Sequence, residues 1–321
     1  MAKNLIYGPV PSRRLGFSLG VDLVPYKICS YNCVYCQIGR TVETTVSRKA
    51  YLPADEVLSQ LFKRLEEGIR PDHITLGGSG EPTLNSEIGA IIDRIKEKTD
   101  IPVAVLTNGA MFYDPAVRRS ILHADVALPS FDAYNAALFE KINRPAPEVT
   151  FEKMARGLID FRKEYSGKIW LEIFVLEGVN DTEADMRGYL SWIRKMKPDK
   201  VHLNTAVRPS AEKSAMPVPY DKLQSLCRIL GDTAEVITSF DPAKKHEKTA
   251  DIAKELQSML SRRPCTLTDM AAGLGIPENE LVKHIQRLMD DHIIEAVHKG
   301  ADVYYQTRII HPQDKKKNPE D

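Results

Sequence analysis

The sequence has no excess of charge of either sign. Its 321 residues include 44 Lys and Arg and 44 Asp and Glu, which gives a formal net charge of +0 at pH 7. This balance excludes the strongly basic surface that non-specific nucleic-acid binding requires, although a local basic patch remains compatible with it. Long apolar runs are also missing, both for a membrane span and for a signal peptide at the start, so we expect no membrane association.

Cysteine is scarce. The chain has 5 cysteines, an odd number that argues against a disulfide framework. Cys227 and Cys265 stand alone in apolar, helix-like contexts, and we interpret both as buried free thiols. Hydrophobic residues at 43% and charged residues at 27% are ordinary for a globular protein. The length predicts about two domains.

The other three cysteines, Cys29, Cys33 and Cys36, follow the spacing C-x3-C-x2-C. A structural zinc site would need a second pair of ligands nearby, and no such pair follows in the sequence. Three thiolates this close together can hold three irons of a [4Fe–4S] cluster and leave the fourth iron open. An open iron suits a cofactor that binds and splits a small molecule as well as passing electrons.

Strand-like and helix-like runs alternate over residues 1–240, which predicts βαβ units and a parallel sheet. About six units favour a partial (β/α)6 barrel, an α/β fold whose C-terminal strand ends would carry the chemistry. The polar stretch 241–249 predicts a linker. Residues 250–310 read as helix, helix, turn, helix and two strands, which is typical of a winged helix-turn-helix domain. The charged segment 311–321 predicts a disordered tail.

Three of the predicted strand ends carry glycine-rich or polar motifs. The first comprises Gly78, Ser79, Gly80 and Glu81, and its glycines would let backbone groups approach a ligand closely. A plain strand-to-helix turn would have a similar sequence. The next two ends carry Thr107-Asn108-Gly109 and Ser130-Phe131-Asp132. There the side chain of Asn108 or Asp132 would either contact a ligand or cap the following helix.

The cysteine spacing, Tyr35 before the last cysteine and these strand ends together resemble the radical S-adenosylmethionine (SAM) superfamily, which has the partial-barrel fold. The resemblance implies that Cys29, Cys33 and Cys36 hold a [4Fe–4S] cluster. It also implies SAM contacts: the methionine amino group at Gly78, Ser79, Gly80 and Glu81, the ribose and carboxylate at Asn108, Ser130 and Asp132, and adenine against Tyr35. In that family one electron splits SAM into methionine and a 5′-deoxyadenosyl radical, which abstracts hydrogen from a substrate.

The resemblance also implies an electron donor such as flavodoxin or ferredoxin. An oxygen-sensitive cluster and reduced thiols predict a cytoplasmic location. The opening segment 8–16 and the run Cys-Val-Tyr-Cys-Gln are similar to the wybutosine-type tRNA-modifying branch of the superfamily. This chain has no obvious motif for a second cluster and has a winged-helix pattern instead. The resemblance therefore does not carry the tRNA activity over, and the substrate and the catalytic side chain stay unassigned.

Four residues are candidates for contacting the substrate. In an extended segment, the adjacent Arg13 and Arg14 would face opposite ways, one into the barrel to bind an anion and the other into a surface ion pair. Arg208 follows the last predicted strand of the barrel and could bind an anionic substrate or a SAM group. Glu172 would point either into the barrel or to an exposed strand face. We interpret His202 as a packing residue and not as a proton relay.

The predicted winged helix has no basic excess. Residues 250–321 hold 10 Lys and Arg against 12 Asp and Glu, a net of −2. Four residues of its third helix could still face a DNA groove: Lys283, His284, Gln286 and Arg287. The charge favours recruitment of a peptide, protein or RNA, or dimerisation, over DNA binding.

Three hypotheses remain from the sequence. The first is a radical SAM enzyme whose winged helix recruits a macromolecular substrate. The second is a DNA-binding regulator that uses the cluster as a redox sensor. The third is a small-molecule enzyme with a dispensable C-terminal domain. The strand-end motifs favour an enzyme, because a sensor needs no glycine-rich cradle for a cofactor.

Overall fold

The computed structural model describes residues 4–41, 44–237, 252–300 and 302–308. A sheet of eight strands with its helices accounts for the region up to Val236, and three helices and a hairpin follow from Ile252. The predicted linker 241–249 and tail 311–321 lie outside the described residues, so the domain limits stay predictions. Within the described ranges, no helix combines the length and the apolarity that a membrane span needs.

The sheet runs in chain order from one edge to the other. Its strands are β1 (Ile6–Ser12), β2 (Gly16–Val21), β3 (His73–Leu76), β4 (Val103–Thr107), β5 (Val126–Pro129), β6 (Lys168–Val175), β7 (Lys200–Thr205) and β8 (Ala234–Val236). Only β1 and β2 pair in antiparallel fashion, and all later neighbours are parallel. The edge strands β1 and β8 do not pair with each other in the described chain. The protein is therefore an α/β partial barrel that is open on one side, as predicted.

Amphipathic helices connect the strands. They are α1 (Ala54–Glu66), α2 (Ile88–Lys98), α3 (Pro115–Ser120), α4 (Ala136–Ile142), α5 (Phe151–Glu164), α6 (Glu183–Met196) and α7 (Tyr220–Leu230). In α1 the buried residues recur at helical spacing, as Ala54, Val57, Leu58 and Leu61 show. The alternation of strands and helices that the sequence predicts for the barrel is present in the structure. The sequence prediction missed β1, α4 and β8.

The missed strand β1 changes the position of the first two arginines. Ser12 pairs with Gly16, so Arg13 and Arg14 lie in the tight turn of a hairpin and not in an extended segment. Gly16 adopts φ +66°, and a Cβ at this position would lie 2.3 Å from Oδ2 of Asp72. The prediction that the two arginines face opposite sides is wrong, because the alternation of an extended strand does not apply within a turn.

The C-terminal unit, residues 252–308, has the predicted order of elements. It consists of α8 (Ile252–Leu260), α9 (Leu267–Leu274), α10 (Glu278–Asp290), β9 (Ile294–Lys299) and β10 (Asp302–Thr307). The Thr266 side chain caps α9 by accepting from the Asp269 backbone N–H at 3.1 Å, and left-handed Gly275 ends that helix. The assignment of this unit as a winged helix stays a prediction.

The C-terminal unit packs against the barrel at two places. On one edge, Tyr7 and Val10 of β1 pack in an apolar cluster with Met259 of α8. Beyond the end of β7, Lys299 of β9 donates a hydrogen bond to the carbonyl oxygen of Arg208 at 2.6 Å. The unit therefore packs against the barrel both at the first strand and at the loop after β7.

A buried ion pair fastens the C-terminal unit to the barrel, and its removal is a first test of this arrangement. Arg262 binds Oδ2 of Asp22 at 2.8 Å, and Asp22 is only 1% exposed. We expect Arg262→Ala to lower the free energy of unfolding by about 3–5 kcal/mol, because it leaves a buried carboxylate unpaired. The exposed Arg187–Glu183 pair of α6 provides the control, and Arg187→Ala should cost less than about 1 kcal/mol. Equal losses in chemical unfolding of the two variants would contradict the prediction.

Candidate functional site

The three clustered cysteines lie in the loop after β2, and each sulfur faces an N–H donor. Lys27 Nζ lies 3.3 Å from Cys36 Sγ. The Asn108 side-chain amide lies 3.5 Å from Cys29 Sγ, and that of Asn143 lies 3.6 Å from Cys33 Sγ. Donors of this kind stabilise thiolates and orient metal ligands.

The cysteine environment fits an iron–sulfur cluster. Burial raises the pKa of Cys29 to about 12 and raises the pKa of Cys33 well above its usual range. Buried thiolates therefore need a compensating positive charge, which cluster iron supplies. Among the described residues no three His, Cys, Asp or Glu side chains converge on a single metal ion. A cluster does not require such convergence, because each thiolate ligates a different iron.

The glycine-rich strand end packs directly on the cysteine loop. Ser79 accepts a backbone hydrogen bond from Lys27 at 2.7 Å, and Glu81 donates one to Ile28 at 3.0 Å. A Cβ at Gly80 would lie 1.9 Å from the Ile28 carbonyl oxygen, and one at Gly78 would also clash with its neighbours. Gly78, Gly80 and Glu81 line a cavity inside the barrel. Ser79 is buried and does not line this cavity.

Glu81 joins the ends of β3 and β4. Its Oε1 accepts from the Thr83 hydroxyl at 2.6 Å and from the Thr107 hydroxyl at 2.7 Å, while Oε2 accepts from the Asn108 backbone N–H at 2.7 Å. Burial raises the pKa of this carboxyl group, and these hydrogen bonds oppose the rise. The Glu81 side chain therefore holds the Thr107–Gly109 strand end in place. The Asn108 side chain caps the following turn through Ala110 N–H at 2.9 Å and also faces Cys29.

Asp132 lies behind the wall of the cavity. It is 2% exposed and accepts hydrogen bonds from the Tyr35 hydroxyl and from the Asn143 amide. Burial raises its pKa to about 6. Asn135, and not Asp132, caps α4. Asp132 therefore orients Tyr35, whose ring stacks on Phe174 of β6 with centroids 3.9 Å apart.

The barrel interior brings the substrate candidates to the same cavity. Glu172 faces the cavity and forms an ion pair with Arg14, so Arg14 is not part of a surface pair. Arg13 also lines the cavity. Arg208 is buried and bonds Asp269 of the C-terminal unit at 3.1 Å.

One cavity of about 380 Å³ collects these groups. The site residues along its lining are Arg13, Arg14, Cys29, Cys33, Tyr35, Cys36, Gly78, Gly80, Glu81, Asn108, Ser130, Glu172 and Arg208. A larger surface hollow of about 1110 Å³ lies at the opposite strand ends, beside His73 and Lys168, and contains none of the predicted site residues. In barrels of this kind the C-terminal strand ends carry the chemistry, so the smaller cavity is the candidate active site.

The comparison with known families agrees with this geometry. The sequence pattern described as "Radical SAM superfamily" matches residues 23–190, just over half of the chain. The chain belongs to the radical SAM superfamily. Members use a [4Fe–4S] cluster and SAM, so the protein is an enzyme with these two cofactors.

This radical SAM chain is similar to two curated proteins and to one solved structure. A UPF0026 protein of Methanocaldococcus jannaschii is 34% identical over 240 residues, covering 73% of this chain and 72% of that protein. A Brachyspira hyodysenteriae protein named GTPase Obg is 36% identical over 292 residues, which are 89% of this chain but only 42% of that protein. This chain lacks the G-x4-G-K-[S/T] phosphate loop of many nucleotide-hydrolysing enzymes. A radical SAM methyltransferase structure from Sphaerobacter thermophilus shares the fold, with a TM-score of 0.54 and 20% identity over 68% of this chain and 66% of that one.

The sequence prediction missed several residues of this candidate site. Lys27 faces Cys36 and Asn143 faces Cys33, yet neither residue belongs to a motif identified in the sequence. Arg262 and Arg263 of the C-terminal unit line the cavity. The net charge of −2 over residues 250–321 gave no indication of a local pair of arginines. The adjacent arginines themselves were the signal that could have found this pair.

His202, at the base of the barrel, gives a pH prediction. Its ring packs on Trp170 and bonds Glu235 at 3.0 Å, while Nδ1 is buried without a partner among the described residues. Burial, followed by the charge of Arg14, lowers its pKa to about 4. The unfolded chain therefore binds a proton between about pH 6.5 and 4 that the folded chain does not, and stability falls as pH falls through this window. Between about pH 7 and 5 we expect the wild type to lose about 2 kcal/mol more free energy of unfolding than His202→Gln does. Equal pH dependence of the unfolding free energy in the two proteins would contradict this.

Proposed function

We propose that the 380 Å³ cavity is the active site in which this radical SAM enzyme abstracts hydrogen from its substrate. The observation that carries the proposal is the convergence of the three cysteines and the ends of β3, β4 and β5 on one cavity. In this proposal Cys29, Cys33 and Cys36 hold the cluster. When bound there and reduced, the cluster supplies the electron that converts SAM to methionine and a 5′-deoxyadenosyl radical.

The side chains around the cavity have distinct roles in this proposal. The backbone at Gly78 and Gly80, which lines the cavity, contacts the methionine amino group, with Asn108 and Ser130 at the next strand ends offering polar contacts to SAM. Tyr35, stacked on Phe174, offers an apolar surface for adenine. Asp132 acts indirectly by holding Tyr35, and Glu81 acts indirectly by holding Asn108.

The position of the C-terminal unit bears on the kind of substrate. It packs against β1 and the loop after β7 and contributes Met259, Arg262 and Arg263 to the cavity lining. The cluster, SAM and the substrate share this one space, which supports a small substrate or a single projecting residue. Recruitment of a peptide, protein or RNA would have to use the outer surface, such as Gln286 and Arg287 on α10. A one-electron donor such as flavodoxin or ferredoxin completes the proposed system.

The test is anaerobic formation of 5′-deoxyadenosine by the reconstituted and reduced full chain with SAM, measured by mass spectrometry. Cell extract is added untreated, nuclease-treated, protease-treated or as a low-molecular-weight filtrate. We expect SAM cleavage in all arms and stimulation by the filtrate. Stimulation that nuclease or protease removes would instead identify an RNA or protein substrate. A fully loaded protein that forms no 5′-deoxyadenosine in any arm would refute the proposed function.

A further inference from the structure

Five arginines line the cavity. Arg13 and Arg14 come from the turn between β1 and β2, Arg208 from the loop after β7, and Arg262 and Arg263 from the segment that follows α8. The glycine-rich and polar strand ends proposed for SAM come from β3, β4 and β5. The arginines therefore belong to elements other than those that would hold the cofactors.

Two of the five arginines are neutralised by carboxylates of the barrel. Arg14 forms an ion pair with Glu172, and Arg262 forms one with Asp22 at 2.8 Å. Both carboxylates are largely buried. These two pairs serve the structure and leave no positive charge over for a ligand.

The other three arginines carry unbalanced charge. Arg13 has no hydrogen-bond or ion-pair partner within the described ranges. Arg263 donates one bond, to the Pro11 carbonyl oxygen at 3.2 Å, and its Nε is buried without a partner in the described chain. Arg208 forms an ion pair with Asp269 at 3.1 Å. Three guanidinium groups with one carboxylate leave two positive charges.

These three groups lie close enough to affect one another. Burial, followed by the charges of Arg208, Arg14 and Arg263 and opposed by that of Glu172, lowers the pKa of Arg13 to about 10. Burial raises the pKa of Cys265 and of Tyr304 in the C-terminal unit, and the charge of Arg208 opposes both shifts. Like charges held together in a half-buried space are stabilised by a bound anion, and guanidinium groups suit oxyanions because their N–H donors form a planar fork.

We propose that Arg13, Arg208 and Arg263 bind the phosphate group of a small phosphorylated substrate, which the C-terminal unit encloses against the barrel. A phosphate dianion matches the two uncompensated charges, whereas a monocarboxylate matches only one. This inference rests on the proposed function for its meaning, since the phosphate would hold the substrate beside SAM. It makes the C-terminal unit a part of the active site, so that neither a remote recruitment module nor a dispensable domain describes it.

The test measures binding and not turnover. Inorganic phosphate and acetate are titrated by calorimetry into the full chain with its reconstituted cluster and bound SAM. The variants are Arg13→Gln and Arg263→Gln, with Arg13→Lys as the conservative change. The matched control is Arg287→Gln, an exposed arginine of α10. Circular dichroism and iron content establish that each protein is folded and loaded.

We expect phosphate to bind more tightly than acetate. Arg13→Gln and Arg263→Gln should each weaken phosphate binding at least about tenfold, since each removes a charge-assisted contact. Arg13→Lys should give an intermediate loss, and Arg287→Gln should bind as the wild type does. Acetate binding as tight as phosphate, or phosphate binding that no variant changes, would overturn the proposal.

A second readout separates this site from the SAM site and from the proposed function. The dissociation constant of SAM is measured for the same variants without phosphate and should be unchanged. A loss of SAM affinity in Arg13→Gln and Arg263→Gln would overturn the proposal, because the arginines would then bind the SAM carboxylate. Formation of 5′-deoxyadenosine by the wild type tests the proposed function alone. Its absence together with specific phosphate binding would refute that function and leave the anion site standing.

Discussion

Replacing Cys33 with alanine is expected to lower the formation of 5′-deoxyadenosine from SAM at least about 100-fold. Loss of a group that merely supports a metal ligand typically costs about 10–100-fold in affinity or activity, and Cys33 is a proposed ligand itself. With two cysteines left, the site cannot hold three irons of the cluster. The measurement is iron content after anaerobic reconstitution, followed by mass spectrometry of the reaction with SAM and reductant.

A cysteine outside the site provides the matched control. Cys227 is 7% exposed in α7 and lies apart from the cavity. Cys227→Ser should keep about four irons per chain and wild-type SAM cleavage. If Cys33→Ala retains the wild-type cluster and activity, the assignment of the three cysteines fails. If both variants lose iron equally, the loss reflects general unfolding and the ligand role is not supported.

The parts of this site that sequence could predict are those in which a short segment performs one task. The cysteine spacing and the Thr107–Gly109 strand end are local, because consecutive residues both end a strand and present a polar group. The same holds for α9, since its cap at Thr266 and its stop at Gly275 lie within one short segment. Local rules of periodicity and capping are sufficient for such elements.

The parts that sequence could not predict depend on contacts between distant segments. Asn143 faces Cys33 only because α4 ends beside the cysteine loop, where Asn32 donates a backbone hydrogen bond to the Asn143 carbonyl oxygen at 3.0 Å. Arg262 reaches Asp22 across 240 residues of sequence. The Arg13–Arg14 turn escaped prediction because β1 is an edge strand with a short turn, and its pairing with β2 decides which way the arginines face.

Gly80→Ala is expected to weaken SAM binding at least about tenfold and to lower stability by about 1–3 kcal/mol. The backbone of Gly80 is not in the left-handed region, so the obstacle is contact and not backbone strain. A Cβ would lie 1.9 Å from the carbonyl oxygen of Ile28, the residue before Cys29. Relief of that clash must move the glycine-rich strand end away from the cysteine loop, and these are the two segments proposed to hold SAM and the cluster.

The matched change Gly89→Ala separates this effect from a general cost of adding a methyl group. Gly89 lies in α2, where the nearest atom to a new Cβ is the Ser120 carbonyl oxygen at 3.0 Å. A small shift there relieves the contact, and alanine favours the helix by about 1 kcal/mol over glycine. SAM affinity, measured by equilibrium dialysis on cluster-loaded protein, should therefore fall in Gly80→Ala and stay at the wild-type value in Gly89→Ala. Wild-type affinity in Gly80→Ala would mean that SAM does not depend on the close approach of the strand end and the cysteine loop.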